Sequence, residues 1–135
     1  MALHRLSTLT LGVPDPVSVG EYYEDFGLTA LGDGRYGTVN GGEQLRLVPA
    51  ERRRAVALGI ACDDADDLDR VAHDLGALGF ESAREESAVT AYDAGTGVEV
   101  RVEIADRLVE QPEPGVTLNA PGDVRRRNLR SEAIL

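Results

Sequence analysis

The sequence predicts an α+β fold: two tandem βαβββ modules forming a curved mixed sheet around a cleft, with the helices on the outer side. Three observations carry this. The stretch Leu9-Thr10-Leu11-Gly12-Val13-Pro14-Asp15 returns downstream as Leu58-Gly59-Ile60-Ala61-Cys62-Asp63-Asp64, each copy an apolar strand that ends in an acidic turn ahead of a helix. Gly42-Glu43-Gln44-Leu45-Arg46-Leu47-Val48 is echoed by Gly97-Val98-Glu99-Val100-Arg101-Val102-Glu103. Outside two stretches of helical spacing, apolar and polar residues alternate with the period of two that marks half-buried strands.

The elements follow in order. Leu6 to Val13 alternates, with Leu9, Leu11 and Val13 on one face and Leu6, Thr8, Thr10 and Gly12 on the other. Pro14-Asp15-Pro16 ends it and opens a helix from about Val17 to Phe26, capped by Asp15 or Ser18 and closed by Gly27. Short strands are expected at Thr29 to Leu31, Arg35 to Asn40 and Glu43 to Val48, separated by Gly32-Asp33-Gly34 and Asn40-Gly41-Gly42. After a polar linker, Ala55 to Cys62 opens the second module, with Val56, Leu58, Ile60 and Cys62 opposite Ala57, Gly59 and Ala61. A helix from Ala65 to Leu78 buries Leu68, Val71, Leu75 and Leu78. Its acidic start, Asp63-Asp64-Ala65-Asp66-Asp67, suits a helix N-terminus and lacks the ligand spacing and glycine of a calcium loop. Gly79 ends it, and strands follow at Glu81 to Glu85, Ala88 to Asp93 and Val98 to Ile104. The paired domain is expected over residues 1–107, with modules at about 5–50 and 55–107. Residues 108–135 contain Gln111-Pro112-Glu113-Pro114-Gly115 and Arg125-Arg126-Arg127, have no period of their own, and read as an extended connector or tail.

Composition narrows the function classes. With 135 residues and a net charge of -10, the chain can bury one core and lacks the basic face that nucleic-acid binding needs. No apolar stretch approaches a membrane span, and Met1 to Arg5 lack the basic and long apolar regions of a signal peptide, so a cytoplasmic protein is expected. Cys62 is the only cysteine, which rules out an internal disulfide and a two-cysteine metal site within the chain. It is expected to be a buried thiol. His4 and His73 are the only histidines, and both are expected at the surface.

The tandem βαβββ pair resembles the vicinal oxygen chelate superfamily, which includes glyoxalase I, extradiol catechol dioxygenases and the fosfomycin and bleomycin resistance proteins. The similarity runs from Leu6 to Arg107, through LTLGVPD…EYYEDFGL and IACDDADDLDRVAHDLGALGF. The tail NAPGDVRRRNLRSEAIL looks like the connector between the halves of two-domain extradiol dioxygenase-like proteins, in which the second half carries the metal. By this resemblance the four metal-ligand positions are Thr8 and Ala57 on the opening strands and Arg46 and Arg101 on the closing strands, with Glu99 or Glu103 in place of Arg101 if the last strand is shifted. Gln44, Glu99 and Glu103 are expected as further cleft lining.

A divalent site needs His, carboxylate or thiolate donors, and a permanent guanidinium cation repels a metal. The expectation is therefore a chain with no catalytic residues and no metal of its own; by the resemblance, Fe(II) or Mn(II) enters only if a second domain carries the site. Arg46 and Arg101 either grip an anion or pair with neighbours such as Glu99 and Glu103 and fill the concavity. The favoured function is a non-catalytic, N-terminal-type domain that supports a catalytic domain or forms a homodimer. The first alternative is an antibiotic-sequestering protein of the bleomycin-resistance kind. The net acidity suits a cationic drug, but four Tyr, two Phe and no Trp offer little aromatic wall. The second alternative is a metal-dependent dioxygenase or lyase whose site is completed by another chain.

Overall fold

The structure is a computed structural model and describes residues 3–109. The expected tail lies outside the described residues apart from Leu108 and Val109. The elements fall into two βαβββ sets. The first comprises β1 (Arg5–Val13), α1 (Pro16–Asp25), β2 (Thr29–Gly32), β3 (Arg35–Thr38) and β4 (Gly41–Pro49). The second comprises β5 (Arg54–Cys62), α2 (Ala65–Ala77), β6 (Ser82–Arg84), β7 (Ala88–Asp93) and β8 (Val98–Ile104). All the strands join one mixed, curved, open sheet in the order β2-β3-β4-β1-β5-β8-β7-β6. No helix among the described residues is long and apolar enough to cross a membrane.

Each opening strand lies parallel to its own closing strand, β1 to β4 and β5 to β8, and the two modules join where β1 meets β5 antiparallel. Thr10 sits opposite Ala57 and Leu9 opposite Leu58, so the apolar rows of both opening strands share one face. The helices cover that face. Under α1, Val13, Tyr36, Leu45 and Leu47 form one core cluster; under α2, Cys62, Leu68, Val89 and Val102 form the other. Leu68 and Cys62 are fully buried. Burying a leucine of this kind contributes about 1.5–3 kcal/mol.

Local chemistry sets the helix ends. Asp15 caps α1 by accepting from the Ser18 N–H, and Asp64 caps α2 by accepting from the Asp67 N–H. Asp67 is itself buried, held by Arg70 and by the Asp63 N–H, so the acidic run is a capping device. Gly27 and Gly79 take positive φ directly after the helices, where a side chain would be strained. Helix α2 stops at Ala77, one residue short of the expected end, and Leu78 becomes its cap. Leu78 therefore leaves the buried stripe and is 74% exposed, whereas Leu68, Val71 and Leu75 pack as the spacing predicts. Burial pushes the Cys62 thiol pKa up, which makes it a poor nucleophile at neutral pH.

Candidate functional site

The face opposite the helices is lined by the polar row of each central strand. A bulge shapes its centre. Between Leu6 and Leu9 the β1 register against β5 slips by one residue, so Ser7 and Thr8 together oppose Gly59. A Cβ at Gly59 would strike the Ser7 hydroxyl and lie 3.1 Å from the Thr8 nitrogen, so only glycine fits there. The bulge turns both hydroxyls to the concave side. Ser7 Oγ donates to Glu103 Oε1 at 2.7 Å, and Thr8 Oγ1 donates to the Glu43 carbonyl at 2.7 Å.

Thr8, Arg46, Ala57 and Arg101, together with Glu99 and Glu103, line one pocket of about 260 Å³, floored by Gly59 and flanked by Thr10. The register also fixes the last strand. Thr10 pairs with Arg46 as Gly59 pairs with Arg101, so Arg101 is the equivalent of Arg46 with no shift. Gln44 lies apart. Its amide donates to the Gly41 carbonyl and its oxygen accepts from the Thr38 N–H, tying the β3–β4 hairpin beside a different pocket.

Both arginines are engaged. Arg46 donates to Glu43 Oε1 through Nε (2.9 Å) and Nη2 (2.6 Å), and Arg35 adds a second cation 3.8 Å from Glu43 Oε2. Arg101 donates to Glu85 Oε2 at 3.1 Å and to Thr90 Oγ1 at 3.3 Å, and its Nε lies 3.7 Å from Glu103 Oε2. These pairs are partly solvated, so each stabilises the fold by about 0–1 kcal/mol. Their consequence is chemical: each guanidinium is held beside a protein carboxylate. Glu43 and Glu85 carried no sequence signal as partners. Glu43 is an odd number of residues from Arg46, which strand alternation puts on the opposite face, and Glu85 arrives from the turn after β6. The four side chains expected at ligand positions offer a hydroxyl, a methyl and two cations, and this donor set does not fit a divalent metal. Among the described residues, no group of three or more His, Cys, Asp or Glu side chains is placed to hold a metal ion.

His73 is exposed, as expected, but His4 is not. Its side chain is only 6% exposed, because the start of β1 is drawn in by the His4 N–H donating to the Ala61 carbonyl. Nε2 lies 3.1 Å from the Ala105 carbonyl oxygen, a distance that calls for the Nε2–H tautomer, and 3.7 Å from Asp63 Oδ1. Arg107 grips the same Asp63 carboxylate with two bonds of 2.9 and 2.7 Å. That fork holds the Asp63 carboxyl below the usual carboxylate range. A carboxylate depressed by folding contributes stability above its unfolded pKa of about 3.9 and loses it as pH falls through the lower folded value. The expected result is that the stability difference between wild type and Asp63→Asn is constant from neutrality to about pH 5 and shrinks below about pH 4. Urea melts across that range check it, and a difference that grows on acidification would contradict it.

No family profile and no curated protein matches this sequence. Solved structures do match. A halotolerant catechol dioxygenase superposes with a TM-score of 0.67 at 15% identity, over 79% of this chain and 41% of its own. The Mn(II)-bound glyoxalase from Novosphingobium aromaticivorans gives 0.64 at 18%, over 82% and 43%. Methylmalonyl-CoA epimerase from Mycobacterium tuberculosis gives 0.53 at 17%, over 76% and 88%. The chain thus spans about two fifths of the dioxygenase and the glyoxalase. At such identities the likeness speaks for architecture alone, and that architecture is the paired βαβββ domain of the vicinal oxygen chelate fold.

Proposed function

We propose that this chain is a metal-free, non-catalytic domain of the vicinal oxygen chelate fold that supports a catalytic second domain or pairs with a second copy of itself. The observation that carries the reading is the state of the four equivalent strand positions. Thr8 and Ala57 bring no charged donor, and Arg46 and Arg101 are neutralised by Glu43, Glu85 and Glu103. On the concave face both arginines are thus ion-paired in the place where a metal centre would otherwise stand. The match to less than half of the dioxygenase and the glyoxalase favours a half-molecule role. In this reading any Fe(II) or Mn(II) belongs to the partner domain.

The test is anaerobic loading of the purified chain with Fe(II) and with Mn(II), followed by desalting and elemental analysis. The expected outcome is no stoichiometric metal. One metal per chain would overturn the proposal and make Glu99 and Glu103 the first residues to replace.

A further inference from the structure

The two modules pack their helices on the sheet differently, and the difference leaves a groove under α2. The registers define the comparison. Leu9 pairs with Leu45 as Leu58 pairs with Val100, so Leu45 and Val100 are equivalent. Tyr36 is the partner of Leu45, and Ala91 is the partner of Val100. In the first module the Tyr36 ring fills the space between helix and sheet, buried against Val13, Leu45 and Leu47. It reaches as far as Gly20, the one buried residue of α1, whose missing side chain admits the phenol. In the second module the equivalent strand position holds only the methyl group of Ala91, and Leu68 from α2 fills the inner part of the space, against Cys62, Val89 and Val102.

The flanking residues do not close the gap. Leu28 follows α1 through Gly27, and Phe80 follows α2 through Gly79, with matching backbone bonds to Tyr23 and Leu75. Leu28 packs on its core, but Phe80 is 57% exposed. Val89 stands opposite Val102, a position taken by glycine in the first module, and returns only part of the volume. What remains is an open, mainly apolar groove of about 380 Å³, walled by Val71, Leu75, Phe80, Val89, Ala91 and Val102.

We propose that this groove is a binding site for a small aromatic molecule of one ring, such as a phenol. The protein itself shows the occupant that fits: the Tyr36 ring in the equivalent place of the other module. Apolar walls with an open mouth bury the ring and leave a polar substituent near solvent. The site lies on the opposite face of the sheet from the charged pocket and stands independently of its role.

The probe is p-cresol, the tyrosine side chain as a free molecule, titrated into the 135-residue chain and followed by two-dimensional NMR. Saturable shifts are expected at the amides of Leu75, Phe80, Val89 and Ala91, with a Kd of roughly 0.1–10 mM for so small a ligand. Nuclear Overhauser contacts are expected from the ring protons to the Val71, Leu75 and Val102 methyls. Ala91→Phe, which supplies the missing ring covalently, is expected to weaken binding at least tenfold. If that variant does not fold, the Overhauser contacts in the wild type decide the matter. Shifts that do not saturate, contacts elsewhere on the surface, or undiminished binding to folded Ala91→Phe would each overturn the proposal. Closure of the groove by residues 110–135 or by a second copy would appear as absent binding and would overturn it equally.

Discussion

Gly20→Ala is expected to destabilise the protein by up to about 2 kcal/mol, the reverse of what the same change does at an open helical glycine. Glycine inside a helix ordinarily costs about 1 kcal/mol relative to alanine, because more backbone freedom is lost on folding. Gly76, in α2, has nothing within 4 Å of where a Cβ would stand, so Gly76→Ala is expected to stabilise by about 0.5–1 kcal/mol. At Gly20 the added carbon would overlap the Tyr36 hydroxyl and lie 3.0 Å from Cζ of the ring. Tyr36 is 8% exposed and cannot withdraw without vacating the cluster of Val13, Leu45 and Leu47. Overpacking a close-packed site costs about 1–3 kcal/mol, which outweighs the gain in helix propensity. Urea melts of the two single variants give the signs. Tyr36→Leu should restore part of the loss in the Gly20→Ala background, since the clash is with the ring. Equal stabilisation by both alanines would mean that Tyr36 does not occupy the space beneath α1.

This packing explains what was and was not legible in the sequence. The strands β1 and β5 could be read because apolar and polar or small residues alternate from Leu9 and Val56 onward and their acidic ends repeat, whereas the bulge at Ser7 and Thr8 breaks the period without a sequence signal. The pairing of Arg46 with Arg101 by position was legible in outline, and parallel registers set by tertiary structure were needed to fix it. Six of the seven residues expected in the cleft share its pocket; Gln44 instead satisfies two backbone groups of its own hairpin. Contacts made across long sequence distances left no local trace. The His4 backbone and ring are held by the Ala61 and Ala105 carbonyls, which leaves its side chain 6% exposed, and Arg101 is met by Glu85 from another strand's turn. Nor does a period-two pattern tell a strand position holding Tyr36 from one holding Ala91, since both satisfy it. The groove beside Ala91 follows from strand registers and helix packing that the local pattern does not carry.

The second large effect expected is the gain of a metal by four substitutions. Thr8→His, Ala57→His, Arg46→Glu and Arg101→Glu together place two imidazoles and two carboxylates around one pocket of about 260 Å³. Two neutral nitrogen donors and two anions match what a first-row divalent ion takes, and the change in charge removes two cations from its neighbourhood. The substitutions lie on the solvated face, away from both core clusters, so the fold should survive them. They also free Glu43, Glu85 and Glu103 from their partners, which raises negative potential at the site and cost the fold only the small worth of exposed ion pairs. Binding of Mn(II) or Zn(II) tighter than about 10 μM is expected of the quadruple variant, equivalent to roughly 7 kcal/mol, and no saturable binding is expected of the wild type. Isothermal titration with a circular-dichroism check of folding measures it. The intermediate variant carrying only the two histidines should bind much more weakly, because Arg46 and Arg101 still oppose the cation. A folded quadruple variant that binds no metal would mean that the four strand positions share a pocket without converging on a point.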